Sequence, residues 1–515
     1  MCNVRLLIFC VCMMLCQVGM AATLLYVPMD DRPVCLDYTV ETMRAAGWDV
    51  KTPPREYIAG SIKKGEPDKL MDWLEQEGKT STAIVASSDA LIYGGLVGSR
   101  THEFDEELLK LRAERLLDLK SSTHEQKIFV FATIMRSPKA SSAPVEPPYY
   151  AQWGPKLFRL GALEDKNELE HLHRKERQEL AALRSEIPQE ILEDLYGRRK
   201  RNLKITELLL HGVEDGKFDY FLLGRDDTAT YSQAHREARA VDILVHELPK
   251  GRIRFFAGAD QLGLVLLQRA VARLQYDYPM VNVVYAPGVG GATIPSYEDN
   301  TVAESAKQHI LAAGAFPVKR KDNADLVLAV NTPKDGKCLE SGNPVNTSAT
   351  TPEVQDFVVN ALDLIYHDKR SVVVADVKYG NGADNSLISL MFKEGIAYEV
   401  AAYGGWNTSG NSLGFALAQG LLAKNISAAD RKYLLQQRYL DDWAYQANAR
   451  TAVYQKLIWP KQWPGSGLKG EQLAAAEAAV AKEIKNVAEP LFAEKLDGFS
   501  FTLPWQRMFE VQVKK

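Results

Sequence analysis

Two adjacent aspartates, Asp226 and Asp227, follow the apolar run Tyr220–Leu223 and the dipeptide Gly224-Arg225. Neighbouring carboxyl groups oppose each other's ionisation, which raises one pKa and suits that group to general acid or base catalysis. The same pair before Thr228 is also what the first turn of a helix uses for capping and charge. Asp260, in Gly258-Ala259-Asp260-Gln261, and Asp376, at the head of Asp376-Val377-Lys378-Tyr379-Gly380-Asn381, hold equivalent places after other apolar runs. These four aspartates are the candidate catalytic groups. The candidate substrate-binding groups are Asp31, Arg32, Asp89, Arg100, Arg136, Lys378, Asn381, Trp406 and Asn407. Arg32 offers an anion clamp or an ion pair that shapes the turn Asp30-Asp31-Arg32-Pro33. In Tyr403-Gly404-Gly405-Trp406-Asn407-Thr408-Ser409-Gly410-Asn411, an indole stands among amides and hydroxyls. Sugars need this combination of an apolar face and hydrogen-bonding partners, although Trp406 would serve equally as core.

Other chemistries lack their residues. There is no HExxH and no phosphate loop, and Gly94-Gly95 lacks the full dinucleotide fingerprint. The nine histidines are scattered, and His171 and His173 read as surface groups in a charged segment. Carboxylates from several runs could hold Ca²⁺ or Mg²⁺, yet no spacing demands it. The sequence thus requires no cofactor and leaves a divalent metal open. The net charge of -4, with no basic stretch interleaved with aromatics, argues against nucleic acid as a partner. The short run Arg198–Arg201 reads as a solvated helix face. The expected partner is a small-molecule or glycan substrate.

Nearly all these polar clusters stand directly after short apolar runs rich in Val, Ile, Phe and Tyr: Leu24–Pro28, Ala83–Ala86, Ile128–Thr133, Tyr220–Leu223, Ile253–Ala257, Val281–Ala286, Leu326–Val330, Val372–Ala375 and Glu399–Ala402. Continuous apolar character marks strands buried on both faces, hence a mainly parallel sheet. Amphipathic helices such as Asp68–Gln76, Ser232–Glu247 and Val302–Ala313 separate them. The expectation is an α/β fold of repeated βα units, as two Rossmann-like lobes or alternatively a barrel. Loops at the carboxyl ends of parallel strands share one side, so a single convergent site is expected.

Residues 23–250 are expected to form the first lobe, with a charged helical insertion at 163–210. The second lobe takes 251–423, and a C-terminal helical region takes 424–515. Arg5, the apolar run Leu6–Leu15 and small residues up to Ala22 form the pattern of a secretory signal peptide over residues 1–22. Lipidation of Cys16 is the weaker alternative, because Leu15 fits poorly before it. Cleavage would leave Cys35 and Cys338, read as two buried free thiols although export permits a disulfide. No later run is long enough to span a membrane, so the mature chain is expected to be secreted or periplasmic.

Several of these pieces occur together in a known order. Leu25-Tyr26-Val27-Pro28-Met29-Asp30-Asp31-Arg32-Pro33, Asp89 through Gly94-Gly95-Leu96-Val97-Gly98-Ser99-Arg100, Met135-Arg136, Asp226-Asp227, Gly258-Ala259-Asp260 and Tyr403 through Asn411 resemble the bacterial domain-of-unknown-function family 4127 over roughly Thr23 to Leu422. The chain departs from the pattern at Asp31, where Glu is expected, and at Gln261, where Glu is common. Gln261 transfers no proton, so no catalytic acid is placed there. The family implies membership and no chemistry.

Export, strand-end aspartates and the Trp406 loop together point to a hydrolase, of glycoside hydrolase type, in which two carboxyl groups flank the scissile bond. A metal-dependent hydrolase using the same aspartates and a non-catalytic periplasmic carbohydrate-binding protein remain alternatives. Exported protein should begin at Ala22 or Thr23; terminal sequencing that returns Met1, or a lipid on Cys16, overturns the leader assignment.

Overall fold

The computed structural model describes residues 22–122, 126–139 and 144–515. The expected leader before Ala22 lies outside these residues. The strands run in chain order as β1 Thr23–Val27, β2 Asp49–Lys51, β3 Ala83–Ser87, β4 Lys127–Ile134, β5 Tyr220–Arg225, β6 Ile253–Ala257, β7 Met280–Tyr285, β8 Phe316–Val318, β9 Leu326–Asn331, β10 Leu339–Glu340, β11 Ser371–Asp376, β12 Tyr379–Gly380, β13 Ala402–Gly404, β14 Ser500–Thr502 and β15 Gln512–Lys514.

Two open parallel sheets dominate. The first has the order β2-β1-β3-β4-β5-β6 and the second β13-β11-β9-β7-β8. Numbered within itself, the second repeats the order of the first: 2-1-3-4-5, the flavodoxin-like winding. Neither closes, which excludes the barrel alternative. β6 pairs with β5, so Ile253–Ala257, expected in the second lobe, is the edge of the first sheet. β2 and β8 escape sequence reading because each is a three-residue edge, and Phe316-Pro317-Val318 carries a proline that only an edge tolerates.

The sheets face each other across shared helices. Ser409–Leu422 is buried along its whole length, packed on β11 and β13 on one side and on the helices Leu262–Gln275 and Val302–Ala312 on the other. Leu262–Gln275 in turn covers β3 and β4. A helix wrapped in apolar contacts all round belongs inside a core. One continuous apolar cluster therefore contains Val85 and Phe131 of the first sheet and Leu328 and Val373 of the second.

Two expectations change. The charged insertion is the whole β4-to-β5 crossover, built of helices Tyr150–Leu169, Arg174–Glu186 and Gln189–Glu214 around a small apolar cluster of their own. Its basic run is only partly solvated: Arg198 and Arg199 are buried, because their guanidinium groups satisfy the carbonyls of His102, Met135 and Arg136. The C-terminal region is mostly helical but ends in the antiparallel pair β14–β15. Its wide helical stretch Tyr439–Ala449 lies in the second core. Cys35 and Cys338 are both free.

Gly224 sits where β5 passes the loop after β6; a Cβ there would meet the Gly258 carbonyl oxygen at 2.3 Å and Leu262 Cδ1 at 2.5 Å. Backbone cannot yield as a side-chain tip does. Gly224→Ala is expected to cost about 2–3 kcal/mol in urea unfolding; a change within experimental error would show that this crossing is slack.

Candidate functional site

In a 2-1-3-4-5 sheet, ligands bind beyond the carboxyl ends of the strands, where the winding reverses between the first and third. In the first sheet that point lies between β1, followed by Asp30-Asp31-Arg32, and β3, followed by Ser88-Asp89. In the second it lies between β7 and β9, where a glycine-rich loop leads to Tyr297-Glu298-Asp299. The two carboxyl-end faces are stitched together. The Asp260 carboxylate accepts from Asn407 Nδ2 at 3.1 Å, and the Asp260 amide donates to Asn411 Oδ1 at 3.2 Å. The Thr228 amide donates to the Tyr297 carbonyl at 3.0 Å, and Arg225 pairs with Asp299.

The helix after Asp226-Asp227 begins at Gln233 and is capped by Ser232, so neither aspartate caps it. Instead the pair belongs to a charge cluster. Arg100 reaches Asp226 and, at 3.2 Å, Glu146 Oε1; Arg136 meets the same Glu146 oxygen at 2.7 Å and Asp227 at 3.1 Å. Each adjacent aspartate thus has its own arginine, and Glu146 spaces the arginines. Two cations face three carboxylates, leaving one negative charge in excess. Asp227 carries the consequence: burial and the Asp226 charge raise its pKa against the pull of Arg136 and Arg100. It remains reachable, with 32% of its side chain exposed against 11% for Asp226.

Beside Asp227 stands Tyr297, 44% exposed. Its hydroxyl donates to Glu340 Oε1 at 2.8 Å, and Asn381 Nδ2 donates to Glu340 Oε2 at 2.9 Å. The Asn381 amide donates to the Asn407 carbonyl at 2.9 Å, which returns the chain of contacts to Asp260. On the far side of Asp260 its other carboxylate oxygen meets Arg32 at 2.6 Å, and Arg32 also grips Asp30 at 2.8 Å. The Arg32 guanidinium lies 5.1 Å from the ring centre of Trp505, whose Nε1 donates to Asp31 Oδ1 at 2.7 Å.

The structure sorts the expected residues into three groups. Asp31, Arg32, Arg100, Arg136, Asp226, Asp227, Asp260, Asn381 and Asn407 share the connected surface. Asp89 lies beneath it, buried, accepting from Thr133 Oγ1 at 3.0 Å. Asp376 is fully buried at the end of β11, held by the Asp384 amide, Asn331 and Tyr403, while Lys378 pairs with Asp384 at 2.8 Å. Asp376 is therefore a brace for its loop. Trp406 is a correction: it is 5% exposed and belongs to the first apolar cluster, with its indole against Phe509, because burying the ring among apolar side chains removes its surface from water. Gln261 is likewise interior, with Nε2 2.9 Å from His309 Nε2. Among the described residues no three His, Cys, Asp or Glu side chains are grouped to hold a metal ion, and no helix is long and apolar enough to cross a membrane.

Sequence reading missed Glu146, Tyr297, Glu340 and Trp505. Glu146 and Trp505 follow no strand of a large sheet; their only signals are the prolines around them. Tyr297 follows a glycine-rich loop after β7, a signal that was present. Backbone geometry marks the same places: Asp227, Tyr297, Asn381, Asn407, Trp505 and Gln506 all have φ between 44° and 66°. Such left-handed residues cost about 1 kcal/mol or more unless they are Gly or Asn, and they gather where surrounding structure forces them.

The chain belongs to the family described as "Protein of unknown function (DUF4127)", whose model matches residues 24–514. The match thus takes in the C-terminal region beyond Leu422. No curated protein matches the chain.

Burial pushes Asp89 up to about 7, helped by Asp226 and opposed by Thr133 and Arg100. A carboxyl whose native pKa is raised stabilises fully below its unfolded value of about 3.9, and that stabilisation fades as pH rises through about 7. Asp89→Asn keeps the shape and removes this titration. Its melting temperature should fall less than that of the parent between about pH 5 and about pH 8.5; parallel curves would show that Asp89 stays ionised in the native state.

Proposed function

We propose that the chain is a hydrolase of glycoside hydrolase type with Asp227 as its proton-transfer group. The observation that carries this is the pairing of one accessible, raised-pKa carboxyl with an exposed aromatic ring. Asp227 pairs with Arg136 at the seam of the two carboxyl-end faces, near enough to Tyr297 for its charge to act on the phenol. Asp226, locked under Arg100, keeps its neighbour's proton affinity high and orients it. Glu340, exposed across the Tyr297 ring, supplies the second carboxyl that flanking of a glycosidic bond requires. Tyr297 takes the platform role first expected of Trp406, and Asn381 and Asn407 offer amides to sugar hydroxyls. The expected leader supports a substrate met outside the cytoplasm.

A metal-dependent hydrolase has less support, since Asp226, Asp227 and Asp260 are each engaged by an arginine instead of converging with free oxygens. A carbohydrate-binding protein would use the same amides and ring without turnover.

Asp227→Asn tests the proposal. Against a glycan panel it should lose about 10²-fold or more in kcat with a near-parental melting temperature. Full turnover in the variant removes Asp227 from catalysis. Saturable glycan binding by the parent with no cleavage supports the binding-protein alternative.

A further inference from the structure

At the opposite, amino end of the first sheet lies a cleft of about 320 Å³. Its walls include Arg252, Arg269 and Arg273, with Phe218 and Tyr278 as aromatic surface and Asp219 as the carboxylate among them. Asp219 is already engaged: Lys120 at 2.6 Å, Lys127 at 3.3 Å and the Ile128 amide at 2.9 Å hold it, and its pKa lies below the usual range. Among the described residues no carboxylate comes within ion-pair distance of the three arginines. Arg269 donates only to backbone carbonyls, of Leu311 at 2.8 Å and, at longer range, of Ala312 and Gly251. Its guanidinium lies 3.4 Å from the ring centre of Tyr220, whose own hydroxyl is buried without a hydrogen-bond partner. Burial and the nearby Arg254 and Arg273 push Arg269 below its ordinary value.

An arginine does not shed its proton at any physiological pH. Three guanidinium groups around one cleft, one of them half-buried, therefore keep their charge, and with Asp219 already held by two lysines that charge is left to attract an anion from outside the chain. Arg252 is given room for this by Gly216, where a Cβ would stand 2.9 Å from its Nη1. Planar forks match tetrahedral oxyanions, and a cleft with three arginines to one carboxylate concentrates them.

We propose that this cleft is a binding site for a phosphate group, separate from the carboxyl-end site and independent of the function assigned there. The cleft is larger than inorganic phosphate, and its aromatic walls suit a phosphoryl group carried on a small apolar or ring-bearing molecule. Calorimetric titration at low ionic strength with inorganic phosphate and with phenyl phosphate tests this. Saturable binding of either is expected, weakening with added salt. Tighter binding of phenyl phosphate identifies a carried phosphoryl group; equal binding identifies free phosphate. Arg269→Gln should weaken binding about tenfold or more. Arg273→Gln, on an exposed side chain that does not endanger folding, should show the same direction. Absence of saturable binding to the parent, or unchanged binding in Arg273→Gln and Arg269→Gln, overturns the site.

Discussion

Arg32 is one side chain on which three separate stretches of the chain meet. Its guanidinium, 6% exposed, is divided between Asp30 after β1 and Asp260 after β6, and its face is covered by Trp505 from the C-terminal tail. Asp260 passes the constraint on, because Asn407 and Asn411 of the second lobe bond to its carboxylate and amide. Without the cation, two buried carboxylates would face each other across the β1 and β6 ends, and both could not stay ionised. Removing one partner of such a buried pair costs about 3–5 kcal/mol, since the remaining charge is left uncompensated. The carboxyl-end loops of two separate sheets are thus held in register by this ion pair and its amide partners, alongside the backbone hydrogen bond from Thr228 to Tyr297.

The C-terminal region does comparable work from below. Asp442 accepts from the Gly405 amide at 2.8 Å, and its carbonyl accepts from the Ala383 amide, so one residue fixes both second-lobe loops. Asp442 is itself held by Arg438, which also bonds Asp441 and stacks 4.4 Å from the ring centre of Tyr38 in the first lobe. Trp443 Nε1 reaches Asn385 at 2.8 Å. These contacts fix the loops that carry Asn381 and Asn407. The region expected to be an appendage is a wall of the site.

Features legible in the sequence are those set by local forces. Strands buried on both faces announce themselves as apolar runs, and parallel connectivity places the loops after them on one side. In this way β1, β3, β4, β5 and β9 and the surface holding Arg32, Asp226, Asp227 and Asp260 could be read. Three-residue edges such as β2 carry no period, and the strand read as Glu399–Ala402 lies at Ala402–Gly404, because the glycines that look like loop are still paired to β11. The direction of Trp406 was not legible: a loop's side chains turn in or out according to backbone angles set by remote partners. Trp505 enters the site from near the end of the chain by a fold-back no local pattern encodes. Burial of Arg198 and Arg199 was hidden for the converse reason, since charge in sequence says nothing about which carbonyls lack donors in space.

The shared core bears on what such a site can do. A two-lobed protein that captures ligand by closing needs lobes that part along a weak interface. Here the helix Ser409–Leu422 packs on the second sheet and on Leu262–Gln275, which covers the first, and the apolar cluster runs unbroken through both. Separating the lobes would expose that cluster, at about 25 cal/mol for each Å² of apolar surface. The relative placement of the two carboxyl-end faces, and with it of Asp227 and Asp260, is then set before any ligand arrives, and movement is left to the rim, where Tyr297 and Glu340 lie exposed. Preorganised charge is worth most where it need not be rearranged during reaction. On the proposed reading, a fixed seam with one raised-pKa carboxyl near an open ring suits chemistry at a bond held across it better than capture by closure.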